Sequence, residues 1–211
     1  MAARRGAILD RDGTIIDVVR DAELGVVTTA FHPDQLRILP GAIEGMRRLA
    51  AAGFTLAIAT NQPGAAKGQI PWSAVLRTNA ALIDRLREAG APIAAIEVCP
   101  HHPEGGPGGD PALIGPCACR KPAPGMLTRL AAALDLDPAE TWVLGDTPSD
   151  VVAAHAAGMR AGLVFDPRRC ELCPLRAGAG ALVPPARPDL AAARLDLLAD
   201  AILATSARAA R

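Results

Sequence analysis

The sequence predicts a doubly wound α/β fold, in which helices cover both faces of a parallel sheet. Short apolar runs typical of buried strands recur along the chain, and segments with helical periodicity separate them. This alternation is the pattern of β-α-β units, which build parallel sheets. The runs that we interpret as strands begin at residues 7, 54, 93, 141 and 160 and read AILD, FTLAIAT, IAAIEVC, TWVLGD and RAGLVFD.

Three other segments have apolar residues spaced as on one face of a helix. They span residues 41–53, 124–136 and 189–206. Gly53 closes the first segment and is expected just beyond the C-terminus of its helix, where glycine is common. A Gly/Pro/Ala-rich stretch, 177–187, precedes the third segment and is expected to form a loose arm.

The length and charge of the chain indicate one domain that acts on a small molecule. A chain of 211 residues can bury its own core, and we expect a single domain over 1–211 with a loop at 99–119 and a C-terminal arm at 174–211. Lysine and arginine number 22, as do aspartate and glutamate, so no net charge attracts nucleic acid or a membrane. No apolar run is long enough to cross a bilayer, and we expect a cytoplasmic monomer or small homo-oligomer.

Polar side chains follow the predicted strands at the edge where parallel strands end. Asp10 and Asp12 come directly after the first strand. Thr60 and Asn61 end the second strand, and Asp146 ends the fourth. Ligands bind beyond the carboxyl ends of strands in open α/β sheets, so we expect these side chains to converge. One aspartate of such a pair can attack a phosphate, while the other protonates the leaving alkoxide and then activates water.

An anionic nucleophile and an anionic phosphate repel each other, so this chemistry needs positive charge. Asp146 would give Mg²⁺ a third carboxylate ligand, and Lys121 would supply a fixed cation. A calcium loop is excluded, because Gly13 stands fourth in DRDG where the glycine of an EF-hand stands sixth. The residues alone leave structural alternatives open, which are a surface turn at 10–13, a turn at 60–61, a solvated Lys121 and a helix N-cap at Asp146.

Four motifs in order resemble those of the haloacid dehalogenase superfamily of aspartate-nucleophile phosphatases. They read LDRDGTIID, IATNQPG, CRKPAPGM and VLGDTPSD, and the resemblance runs from about residue 7 to residue 165. It implies that Asp10 is the nucleophile and Asp12 the general acid and base. It implies that Mg²⁺ is bound by the Asp10 carboxylate, the Asp12 backbone carbonyl and Asp146, with support from Asp150. It also implies that the phosphoryl group is held and neutralised by Thr60, Asn61, Gln62 and Lys121.

Cysteine and histidine residues flank a Gly/Pro-rich stretch, 102–116, that is too long for an ordinary connection. The spacing C-x-H before it and C-x-C after it suits a tetrahedral, structural Zn²⁺ that would pin the loop. His102 competes with His101 for the histidine position, and reduced thiols without a metal are the alternative. Cys170 and Cys173 form an isolated CxxC pair, which is only a weak indication of a second metal or redox site. The predicted zinc ligands are Cys99, His101, Cys117 and Cys119.

This loop indicates which group of phosphatases within the superfamily the chain resembles. A CxH…CxC loop that runs into RKP is similar to that of the capless phosphatases acting on D-glycero-D-manno-heptose 1,7-bisphosphate, and of the related histidinol-phosphate phosphatase domains. The resemblance implies that the loop lines the substrate pocket and that Arg120 binds a second phosphate, with an exposed loop arginine as the alternative. Pro63 and Thr147 depart from the Ser and Lys that are common there, and Arg20 lies in an unusual segment that could reach the site.

We therefore expect a Mg²⁺-dependent phosphatase of a small phosphorylated metabolite. The first candidate reaction removes the C7 phosphate of the heptose bisphosphate, and the second hydrolyses histidinol phosphate. The alternative from another class is a non-catalytic, zinc-stabilised binding module. It is disfavoured because such a module does not need Asp10, Asp12, Lys121 and Asp146 together. A nucleic-acid-binding zinc protein is disfavoured by the zero net charge and by the absence of a basic helix face in the sequence.

Overall fold

A parallel sheet of six strands forms the centre of the computed structural model, which describes residues 4–21, 26–166 and 187–209. The sheet has the order β5-β4-β1-β6-β7-β8, and each neighbouring pair is parallel. β2 and β3 pair with each other as an antiparallel hairpin. In chain order the strands are β1 (Gly6–Leu9), β2 (Val19–Asp21), β3 (Val26–Thr28), β4 (Thr55–Asn61), β5 (Ala95–Cys99), β6 (Trp142–Gly145), β7 (Arg160–Val164) and β8 (Leu190–Ala192).

Helices cover both faces of this sheet, so the predicted doubly wound α/β fold is confirmed. Buried side chains of α1, α2 and α5 form one core on the first face, and those of α3 and α4 form a second core on the other. The helices are α1 (Ala42–Ala51), α2 (Trp72–Glu88), α3 (Gly125–Leu134), α4 (Pro148–Ala156) and α5 (Leu195–Ala209). None of the helices in the described part of the chain has the length and apolarity needed to span a membrane.

Alternate residues of the central strands face the two cores, which explains their continuous apolar sequence. In β1, Ala7 and Leu9 face the first core and Ile8 faces the second, and all three are fully buried. In β4, Leu56 faces the first core and Ala57 faces the second. Parallel strands buried on both faces read as unbroken apolar runs rather than as alternating ones. The position of β1 in the middle of the sheet follows from this pattern.

The ends of some elements differ from the sequence predictions. The helix predicted over 189–206 begins only at Leu195, because residues 190–192 extend the sheet as β8 beside β7. α5 packs on α1, and Arg48 Nη1 lies 2.6 Å from Asp200 Oδ2 between them. The helix predicted after the loose arm is thus present. α2 was not among the predicted helices, and residues 177–186, Cys170 and Cys173 lie outside the described residues.

The Gly/Pro-rich loop at 102–116 packs closely against the chain that follows β4. The Asp110 amide donates to the Ala65 carbonyl over 3.1 Å, and the His102 amide donates to the Leu113 carbonyl over 3.1 Å. A Cβ at Gly109 would lie 1.9 Å from the Ala66 carbonyl oxygen, so only glycine permits this approach. Gly106 and Gly109 therefore allow the loop to pack closely against the backbone of Ala66 and Lys67.

Candidate active site

The candidate active site lies where three adjacent strands of the sheet end. β4, β1 and β6 are neighbours and carry Thr60 and Asn61, Asp10, and Asp146 at their C-terminal ends. The Asp10 amide donates to the Leu144 carbonyl over 2.8 Å, which continues the ladder between β1 and β6 by one residue. The predicted convergence of these polar residues follows from the parallel register.

Lys121 is the cation at the centre of this site. Its Nζ donates to Asp10 Oδ1 over 2.7 Å, to Asp150 Oδ1 over 2.5 Å and to the Ala59 carbonyl over 2.8 Å. The Lys121 side chain is only 3% exposed. All three ammonium protons therefore have acceptors, and the alternative of a solvated lysine is wrong.

The carboxylates outnumber the ammonium group that faces them. Oxygen atoms of Asp10, Asp146 and Asp150 lie within 4.8 Å of one another. The pKa of Asp10 is raised to about 8, mainly by burial; Lys121 lowers it, and the neighbouring carboxylates add to the rise. Burial lowers the pKa of Lys121, but Asp10 and Asp150 raise it above its usual value. Three hard oxygen donors and an excess of negative charge fit Mg²⁺.

Asp150 joins this cluster to the start of α4. Its Oδ2 accepts a hydrogen bond from the Thr147 amide over 3.1 Å, and Thr147 occupies the N-cap position of the helix. The alternative role of Asp146 as N-cap is therefore wrong. Asp146 precedes the helix and is 8% exposed at the end of β6. The capping interaction fixes the Asp150 carboxylate beside Lys121.

Asn61 holds the peptide group of Lys121. Its Nδ2 donates to the Lys121 carbonyl over 3.1 Å, and its Oδ1 accepts from the Lys121 amide over 3.1 Å. Both ends of the Asn61 side chain are thus used on one residue, and this geometry positions the lysine. The sequence prediction gave Asn61 a contact with the phosphoryl group and contained no sign of this pairing.

Asp12 is held by polar side chains from three segments. Gln62 Nε2 donates to Asp12 Oδ2 over 2.6 Å and to Thr60 Oγ1 over 3.0 Å. Thr29 Oγ1 donates to Asp12 Oδ1 over 2.7 Å, and Arg11 Nε lies 3.0 Å from Asp12 Oδ2. Arg11 and Thr29 were missed in the sequence, and only the presence of a charged residue between two aspartates could have singled out Arg11.

The predicted zinc ligands converge around a single point. The Sγ atom of Cys119 lies 3.1 Å from that of Cys99 and 3.4 Å from that of Cys117, and His101 Nδ1 lies 3.2 Å from Cys119 Sγ. Burial raises the pKa of the Cys99 thiol. Three thiols and one imidazole are a donor set suited to tetrahedral Zn²⁺.

His102 has a different role in the loop. Its Nδ1 accepts hydrogen bonds from the Gly105 amide over 3.0 Å and from the Glu104 amide over 3.3 Å. The histidine within the cysteine cluster is therefore His101, as the symmetric spacing predicted.

The two arginines considered for substrate contact are placed differently. Arg120 directly precedes Lys121, and its Nη1 donates to the His101 carbonyl over 3.2 Å, so the cysteine and histidine cluster lies next to its guanidinium group. Arg20 lies on β2, where its Nη1 is 3.0 Å from Asp17 Oδ2.

Residues 118–167 match a family model described as HAD-hydrolase-like. D-glycero-β-D-manno-heptose-1,7-bisphosphate 7-phosphatase of Rhodopseudomonas palustris is 38% identical over 156 residues, which are 74% of this chain and 81% of that relative. The enzyme of the same name from Escherichia coli K12 is 36% identical over 152 residues, 72% of this chain and 73% of its own. The chain belongs to the haloacid dehalogenase-like phosphatases.

Solved structures of this family agree with the fold. The D,D-heptose 1,7-bisphosphate phosphatase of Bordetella bronchiseptica, solved with magnesium and phosphate, superposes with a TM-score of 0.71 at 29% identity and covers 95% of this chain and 99% of its own. A putative HAD-like phosphatase of Mesorhizobium loti superposes with a TM-score of 0.65 at 28% identity, over 88% of this chain and 90% of its own. As a member of this family the chain is a phosphoric monoester hydrolase.

Proposed function

We propose that the chain removes the C7 phosphate of D-glycero-D-manno-heptose 1,7-bisphosphate in a Mg²⁺-dependent reaction. The observation that carries the proposal is the buried contact between Asp10 and Lys121, 2.7 Å apart at the end of the central strand. The relatives at 36–38% identity that are named for this reaction support the choice of substrate.

Asp10 is the nucleophile in this proposal. Its carboxylate forms a bond to phosphorus while the bond from phosphorus to the sugar oxygen breaks, which leaves an aspartyl-phosphate. Lys121 stabilises the negative charge on the phosphoryl oxygens, and Asn61 keeps the lysine in place through its peptide group. Asp10, the Asp12 backbone carbonyl and Asp146 would hold Mg²⁺, which supplies further charge neutralisation when bound.

Asp12 transfers the protons. It donates a proton to the sugar oxygen as that oxygen leaves, and it then takes a proton from the water that attacks the aspartyl-phosphate. Each turnover therefore returns Asp12 to its starting form. Gln62 and Thr29 hold its carboxylate during both steps through bonds of 2.6 and 2.7 Å.

The cysteine cluster would hold a structural zinc ion that fixes the wall of the pocket. Cys117 and Cys119 lie directly before Arg120 and Lys121, so the loop positions both cations of the site. Arg120 would bind the second phosphate of the substrate through its guanidinium group.

A side-by-side assay tests the choice of substrate. We expect kcat/KM with Mg²⁺ for the heptose bisphosphate to exceed that for histidinol phosphate by at least ~10², or about 2.7 kcal/mol of transition-state discrimination. Asp10→Asn serves as the blank for contaminating phosphatases. A higher kcat/KM for histidinol phosphate would overturn the proposed choice of substrate and leave the catalytic assignment in place. Pro63 and Thr147, which depart from the pattern of the heptose phosphatases, would then be the first positions to examine.

A further inference from the structure

Arg11 is a fully buried arginine whose side chain touches Asp12. Its side chain is 0% exposed. Nη1 donates to Asn79 Oδ1 over 2.5 Å, and Nη2 donates to the Ala30 carbonyl over 3.0 Å and to Thr29 Oγ1. A buried guanidinium is costly unless its donors are paired, and each terminal nitrogen here has an acceptor.

Arg11 also contacts both oxygens of the Asp12 carboxylate, through Nε and through Nη2, whose two protons are shared among Asp12, Thr29 and Ala30. Nε lies 3.0 Å from Oδ2, and Nη2 lies 3.2 Å from Oδ1. Paired contacts between a guanidinium and a carboxylate fix the relative orientation of the two planes as well as their distance. The orientation of the Asp12 carboxylate therefore follows the orientation of Arg11.

Arg11 is itself anchored by elements that are distant in sequence. Asn79 lies 68 residues away on α2, and its side chain is buried in the first face of the sheet, while Ala30 follows the β2–β3 hairpin. These anchors come from a long helix and a loop that do not include the strand end carrying Asp12. The guanidinium group thus links Asp12 to α2 and to the segment that follows β3.

We propose that Arg11 is a positioning residue that aims Asp12 at the oxygen of the leaving group, an inference that rests on the proposed role of Asp12. Arg11 keeps its own protons throughout the reaction, because its guanidinium stays charged. The proton given to the sugar oxygen comes from Asp12 and is restored from the attacking water. Without Arg11, Asp12 would keep its hydrogen bonds from Gln62 and Thr29 but would lose the two-point contact that fixes the plane of its carboxylate.

Two substrates with different leaving groups test this role. A sugar alkoxide needs a proton from Asp12 as it departs, whereas the nitrophenolate of p-nitrophenyl phosphate leaves as a stable anion. The quantity to measure is kcat/KM, because it reports the steps up to departure of the leaving group. We expect Arg11→Met to lower kcat/KM for the heptose bisphosphate by about 10² and for p-nitrophenyl phosphate by less than about 5-fold. Arg11→Lys keeps the buried charge and should recover part of the lost activity.

Arg85→Met is the matched control. Arg85 lies on α2, is partly buried and donates to the carbonyls of Leu36 and Pro33, and its hydrogen bonds within the described residues do not include Asp12. This control should lower stability and leave the ratio of the two kcat/KM values unchanged. An equal loss on both substrates in Arg11→Met, or in Arg11→Lys if the first variant does not fold, would overturn the positioning role.

Asp12→Asn separates this inference from the proposed function. It should lower kcat/KM for the sugar phosphate selectively and by at least as much as Arg11→Met. Selective loss in Asp12→Asn without selective loss in the Arg11 variants overturns the inference alone. A loss in Asp12→Asn that is equal for both substrates overturns the acid role of Asp12.

Discussion

The two clusters of potential metal ligands differ in their donors and in the part of the fold that carries them. The carboxylates of Asp10, Asp146 and Asp150 stand at strand ends and at a helix cap, and they face a lysine. The thiols and the imidazole of the second cluster flank a Gly/Pro-rich loop, and only Cys99 belongs to a strand. The strand ends, the cap of α4 and Lys121 hold the first cluster in place, whereas the second cluster adds to the backbone hydrogen bonds of His102 with Leu113 and Gly115 that bring the ends of its loop together. We therefore expect loss of the first metal to stop catalysis and loss of the second to loosen structure.

Replacement of Asp10, the proposed nucleophile, should give the largest effect. Asp10→Asn removes the attacking carboxylate, so kcat should fall by at least about 10³. Asp150 remains beside Lys121 over 2.5 Å, so the fold should persist. Turnover with the heptose bisphosphate and the circular dichroism spectrum measure the two consequences. Wild-type turnover in this variant would refute Asp10 as the nucleophile.

Removal of Mg²⁺ should stop catalysis and leave most of the stability in place. Transfer into magnesium-free buffer should stop turnover reversibly and change Tm by only a few degrees, because the strand ends keep their places without the ion. Readdition of Mg²⁺ should restore activity. A large, irreversible loss of secondary structure on this transfer would show that the two clusters do not differ as described.

Replacement of a thiol in the cysteine cluster should lower stability more than it lowers activity. Purified protein should contain about one tightly bound zinc per chain, and Cys119→Ser should contain none. We expect a lower Tm and faster proteolysis within residues 102–116 in that variant, because the ends of the loop are released. Cys170→Ser is the control and should change neither zinc content nor activity. A metal-free, fully active wild-type protein would contradict the zinc site.

Loss of the two hydrogen bonds between the Asn61 side chain and the Lys121 peptide should have an intermediate effect on activity. Asn61→Ala removes both hydrogen bonds to the Lys121 peptide, so the ammonium should lose its fixed position. We expect kcat to fall about 10-fold and the free energy of unfolding to fall by about 1–3 kcal/mol. Steady-state kinetics and urea unfolding provide the measurements. A rise in KM with unchanged kcat would instead indicate that Asn61 serves binding alone.

A carboxylate outside both clusters should give the smallest effect. Hydrogen bonds from Arg194 lower the pKa of Asp196, the opposite direction to Asp10. Its contribution to stability is therefore present above the pKa of the unfolded chain and is lost as pH falls through the lowered pKa. Asp196→Asn should reduce the free energy of unfolding by up to about 1 kcal/mol at pH 7 and by less at pH 3. Urea titrations at both pH values measure this difference, and a larger loss at pH 3 would contradict it.

The sequence was sufficient for five of the six strands of the main sheet and for the grouping of Cys99, His101, Cys117 and Cys119, because both depend on local signals. Apolar runs bounded by polar residues mark buried strands, and ligand spacings such as C-x-C survive in the linear chain. β8 was missed because residues 190–192 adopt a strand only by pairing with β7, and local propensity does not carry that information.

The supporting contacts of the site could not be predicted for a similar reason. Arg11 reaches Asn79 across 68 residues, and Asn61 pairs with the peptide of Lys121 across 60 residues. Neither partner is marked by spacing, charge pattern or turn chemistry. Such contacts become visible only when the chain is folded, because they depend on how the elements pack.

The contact between Asp10 and Lys121 also bears on how the protein is made. These residues are 111 positions apart, so during synthesis Asp10 leaves the ribosome long before Lys121 has been translated. A buried carboxylate without its partner is costly, and β1 cannot settle in the centre of a sheet whose β6 has not been translated. We therefore expect the N-terminal half to stay incompletely folded until β6 has been translated. Completion of the sheet and catalytic activity should then appear together in a late step of folding.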